Sequence, residues 1–87
     1  MGEFRVKCYV SVEVYYTSAG QLIPLSVEWE DGRVFHIDRA EEPEPAVSRT
    51  GSCGERYACS IHGVKTFLYY EDPAWFVEKK TGRKSGQ

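Results

Sequence analysis

No stretch of this chain approaches the roughly 18 consecutive apolar residues of a membrane-spanning helix. No heptad, internal repeat or long helical period runs through it. Arg5 and Lys7 interrupt any early apolar run, which argues against a signal peptide. Cysteine is scarce and odd in number, with Cys8, Cys53 and Cys59. A disulfide framework is therefore not expected, and a cytosolic protein with reduced thiols is the economical reading, although Cys53 and Cys59 have the means to pair. Excess charge is lacking too. The net charge is -2 and the pI about 5.6, unlike a strongly basic nucleic-acid binder.

What the chain has is alternation. Phe4, Val6, Cys8, Val10, Val12, Val14 and Tyr16 fall on one side of an extended strand, and Arg5, Lys7, Tyr9, Ser11, Glu13, Tyr15 and Thr17 on the other. Successive side chains of a strand point to opposite faces, so this period of two predicts a half-buried strand. At about 3.3 Å per residue it would run roughly 43 Å, too long for one flat strand in a chain of 87 residues. A bend or bulge midway is expected, with the strand serving two halves of a curled sheet. Apolar content of 41% and aromatic content of 14% suffice for the core of one small domain.

The remaining strands follow from turn chemistry. Thr17-Ser18-Ala19-Gly20 is a turn cluster. In Leu22–Trp29, Leu25, Val27 and Trp29 share a face, and Pro24 either precedes the strand or lies at an unpaired edge. Glu30-Asp31-Gly32 predicts a hairpin, with Arg33–Arg39 as the return strand. The pattern then stops between Ala40 and Glu55, which reads as a mobile or connecting loop with a short helical turn near Ala46–Arg49. Arg56–His62, Thr66–Glu71 and Trp75–Lys79 predict three more strands, joined at His62-Gly63 and Asp72-Pro73. The sum is an all-β domain over residues 1–80, about six strands in meander order. An SH3-like or related small curled barrel with a long bent first strand fits this pattern. Residues 81–87 form a basic tail expected to be disordered.

The segments Trp29-Glu30-Asp31-Gly32, Ile37-Asp38, Arg56-Tyr57 and Trp75-Phe76-Val77-Glu78 carry a resemblance. Their order resembles a family of short, stand-alone bacterial proteins without an assigned activity. The resemblance covers roughly residues 5 to 80, implies the fold and carries over no catalytic residues.

Chemical motifs are weak. Cys53, Cys59, His62 and His36 are possible zinc ligands, but Cys-x₅-Cys with Cys-x₂-His lacks the two close pairs of a structural site. Cys53 beside Arg49 has no histidine placed by spacing as its base. Gly51-x-x-Gly54 lacks the Lys-Ser/Thr of a P-loop. No catalytic set, metal or cofactor is expected. Charge is uneven: seven carboxylates against Arg33 and Arg39 lie between Glu28 and Glu44, and four cations without an acid lie from Lys79 onward.

Two binding readings remain. The first is a protein-interaction module with an unknown partner or a second copy of itself. Tyr9, Tyr15, Tyr69 and Phe76 would be its contact aromatics, with Arg5, Lys7 and Lys79 as charged rim. The alternative is single-stranded nucleic acid bound on a basic, aromatic sheet face. No membrane partner is expected.

Overall fold

The computed structural model describes residues 4–47 and 53–81. All its regular structure is strand: β1 Phe4–Tyr16, β2 Leu22–Glu28, β3 Val34–His36, β4 Arg39–Ala40, β5 Glu44–Val47, β6 Cys53–Ile61, β7 Val64–Glu71 and β8 Ala74–Thr81. The sheet order is β3-β2-β1-β8-β7-β6-β4, with β5 also on β6, and each paired neighbour is antiparallel. The result is a curled half-barrel, consistent with a small SH3-like barrel. No helix among the described residues is long and apolar enough to cross a membrane.

β1 serves two halves of the sheet. Its residues 4–10 pair with β8 and its residues 11–16 with β2. The register slips between Glu13 and Val14, because Glu13 faces Ser26 while Val14 faces Pro24. Leu25 is the extra residue of this bulge, and such an insertion bends the strand pair. The bulge corrects two expectations. Pro24 lies inside β2 and is buried, in one of the few places where a missing N–H is harmless. Leu25 does not share the inner face with Val27 and Trp29; it is 41% exposed.

The turns use left-handed residues where expected. Gly20 has φ +87° and Gly32 φ +90°, and each closes a three-residue hairpin loop. Gly20 N–H donates to Thr17 O at 2.9 Å, and Gly32 N–H to Trp29 O at 2.9 Å. At His62-Gly63 both central residues have positive φ, as a two-residue hairpin of right-handed twist requires.

The Ala40–Glu55 segment is not the featureless connection expected. β5 pairs Glu44 with Arg56, Pro45 with Glu55, Ala46 with Gly54 and Val47 with Cys53. Proline is compatible with an edge strand, whose outer side needs no donor. Arg56 is also ion-paired to Glu44 across this ladder. Ala46–Val47 is strand, while residues 48–50 and the tail from residue 82 lie outside the described residues. The predicted Arg33–Arg39 strand is split into β3 and β4. Between them Ile37 N–H donates to Leu25 O at 2.9 Å and Asp38 N–H to Ser60 O at 2.7 Å. This crossing ties the β2 side of the sheet to the β6 side and curls it.

The core occupies the inner face. Val27, Tyr57, Cys59, Leu68, Trp75 and Val77 are buried together, with Cys8, Val10, Val12 and Val14 of β1 packed against them. Trp75 contacts Tyr70 at 4.6 Å and Tyr57 at 5.3 Å between ring centroids. Tyr57 Oη donates to Leu22 O at 2.8 Å, so a buried hydroxyl is satisfied across the curl.

Candidate binding cleft

Adjacency of β1 and β8 brings Lys7, Tyr9, Tyr69 and Phe76 together on the outer face, as alternation along three neighbouring strands requires. Tyr69 stacks on Phe76 with centroids 5.0 Å apart, and Tyr9 meets Phe76 edge-on at 5.7 Å. Phe76 is nevertheless only 1% exposed. It is the floor of this cluster and has no ring surface to offer a partner, so its assignment as a contact aromatic is corrected.

The polar groups of the cluster are engaged with one another. Lys7 Nζ donates to Glu71 Oε1 at 3.2 Å, and Tyr9 Oη donates to the same oxygen at 3.3 Å. Tyr69 Oη donates to Glu78 Oε1 at 3.4 Å. Burial works against the Lys7 ammonium, but Glu71 and Tyr9 outweigh it, and the Lys7 pKa is raised. Arg56 lies 4.5 Å above the Phe67 ring and its pKa is raised by Glu44.

The other sequence-derived candidates lie elsewhere. Tyr15 is 58% exposed, beyond the bulge and paired with Ile23 of β2. Lys79 falls on the opposite face from Lys7, because it alternates with Glu78. Its Nζ donates to Glu30 Oε2 at 3.1 Å and sits 5.7 Å from the Trp29 ring centroid. Hydrogen bonding to Glu30 raises its pKa. Arg5 is paired through its backbone with Lys80, and its side chain lies outside the description. One joined patch of all seven residues therefore does not form.

A cleft does form where β7 and β8 part. Both strands run eight residues, yet they pair only at Tyr69–Phe76, Tyr70–Trp75 and Glu71–Ala74. Beyond Tyr69, β7 stays paired with β6 down to Val64–Ile61, while β8 stays with β1 out to Thr81–Phe4. A cavity of about 410 Å³ opens on the inner side of this divergence. Val27, Trp29, Phe35, Cys59, Ile61, Thr66, Leu68 and Val77 line it, with Arg33 and His62 at its mouth. Its size lies in the range of sites that take small ligands or inserted side chains.

The mouth is built by two hairpin turns. Phe35 meets His62 edge-on at 6.0 Å, and the Arg33 guanidinium lies 5.4 Å above the Phe35 ring. Asp31 accepts Arg33 N–H at 3.0 Å and Nε–H at 2.7 Å, and these bonds hold its pKa below the ordinary aspartate value. Sequence reasoning missed this site. Its one legible signal was aromatic or apolar residues flanking both turns: Trp29 and Phe35 around Asp31-Gly32, and Ile61 before His62-Gly63.

The cleft is suited to holding apolar groups. Cys59, the thiol in its wall, is buried and free, and burial pushes its pKa up to about 11. It is protonated at neutral pH and a poor nucleophile there. Among the described residues no three His, Cys, Asp or Glu side chains converge as a metal site would require. The Cys53 thiol and Arg49 lie outside the described side chains. Compared with protein-family models, curated proteins and solved structures, the chain matches none, so the function is read from the site alone.

Proposed function

We propose that this chain is a non-enzymatic binding module whose partner is another protein, seated at the cleft between β7 and β8. The observation that carries this reading is the open 410 Å³ cavity with an apolar lining. The cavity walls are almost wholly apolar, and a partner group that fills the space displaces water from them. The nucleic-acid reading has less support. Lys7 and Lys79 face opposite sides, and each is held by a carboxylate. Contact with phosphate would have to break those pairs.

A photo-crosslinking residue placed at Ile61 captures a discrete protein from an extract of the source organism. Capture is lost when Thr66→Trp fills the cavity, and the same crosslinker at Ser11 captures nothing. Equal capture at Ile61 and Ser11, or capture insensitive to Thr66→Trp, would contradict the assignment.

A further inference from the structure

We infer that the partner enters this cleft as an extended acidic segment, adding a strand along the edge of β8 over Val77–Thr81 and setting one large apolar side chain in the cavity. The inference rests on the protein-binding reading above. Three observations carry it. First, β7 and β8 are each secured on one side, by β6 and β1 respectively, and part over Val64–Leu68 and Val77–Thr81. Among the described residues no strand pairs with β8 on its β7 side beyond Phe76. A strand edge of five residues matches the usual length of an added strand, and its main-chain groups are what an extended peptide recognises.

Second, the apolar cavity lies directly under that edge, since Val77 and Leu68 point into it. An added strand directs alternate side chains to one face, so one of them reaches the cavity. Edge and pocket together supply the affinity and the selectivity of strand addition. Third, the two parted halves read Val-Lys-Thr-Phe-Leu and Val-Glu-Lys-Lys-Thr. Lys65, Lys79 and Lys80 outnumber Glu78 in these two segments; Lys79 is already paired with Glu30, so acidic residues flanking the apolar anchor are complementary to the remaining charge of Lys65 and Lys80.

The same facts exclude the chain's own C-terminal segment as the occupant. Residues 82–87, Gly-Arg-Lys-Ser-Gly-Gln, contain no apolar side chain to fill the cavity and are themselves cationic.

The test selects binders from a displayed library of random heptapeptides on the full chain, with Thr66→Trp as the parallel target. The expected binders carry a large apolar residue flanked by Asp or Glu, and bind the variant roughly tenfold or more weakly. A selected peptide, added to the unmodified chain, protects from hydrogen exchange those amides of Val77–Thr81 that are not bonded to β1. Binders that are cavity-dependent but leave these amides unprotected, or lack acidic residues, overturn strand addition and leave the binding module standing. No enrichment on the unmodified chain over Thr66→Trp overturns both.

Discussion

Replacing Phe76 with alanine is expected to cost about 3–5 kcal/mol, the range for a fully buried phenylalanine. The ring sits on the outer face of the sheet, yet Tyr69, Tyr9 and Lys7 close over it. Its removal leaves a cavity under three strands. Total stability for a domain this small is on the order of 5–10 kcal/mol, so the variant is marginal at 37 °C. Its melting temperature falls by more than about 12 °C. Tyr15→Ala, on the exposed end of β1, stays within about 0.5 kcal/mol of the parent. Thermal unfolding followed by circular dichroism reads both. A Phe76→Ala melt within a few degrees of the parent would mean that this ring is a surface residue after all.

The second large effect concerns Gly54. A Cβ at this position would lie 2.4 Å from the Tyr70 carbonyl oxygen and 3.3 Å from its carbon. Both are backbone atoms of a paired strand and have little room to move. Gly54 also pairs with Ala46, so the clash falls where β5 joins β6 and β6 meets β7. Gly54→Ala is expected to destabilise by roughly 1–3 kcal/mol, the cost of overpacking a fixed site. Where a Cβ fits, the same substitution stabilises by about 0.4–1 kcal/mol by restricting the unfolded chain. The sign of the change in a denaturant melt therefore decides whether β6 and β7 approach this closely.

The fold was legible in the sequence where backbone geometry leaves a chemical trace. The alternation of Phe4–Tyr16 marked β1, its excessive length implied the bulge, and Asp31-Gly32 and His62-Gly63 marked hairpins because positive φ leaves a chemical trace. Bulge position left a weaker trace. Leu25 reads as core by period, and only the tertiary register turns it outward. Pro45 and its glutamate neighbours suppressed the expectation of a strand, since their signal is averaged over strands of every kind and this one is an edge.

Part of the candidate site was legible by parity alone. Trp75, Val77 and Lys79 share one side of β8, so Lys79 belongs with the inner face and Trp29, away from Lys7. Burial was harder to read. Phe76 alternates outward and would be exposed on an open sheet; it is buried because Tyr9 and Tyr69 converge from neighbouring strands. The cleft's only local trace is the apolar residues flanking the two turns at its mouth. The cleft arises because β7 follows β6 while β8 follows β1, and such divergence belongs to the curl of the whole sheet rather than to any residue pair.

The most direct test of the cleft is a titration with 8-anilinonaphthalene-1-sulfonate, an apolar probe with one anionic group. The probe is added to the native chain and to Thr66→Trp, with circular dichroism confirming that both remain folded. The account predicts a saturable fluorescence increase with one site on the native chain, and its loss in Thr66→Trp. Equal binding by the two folded proteins, or none by either, would contradict the claim that the space between β7 and β8 is an open apolar binding site.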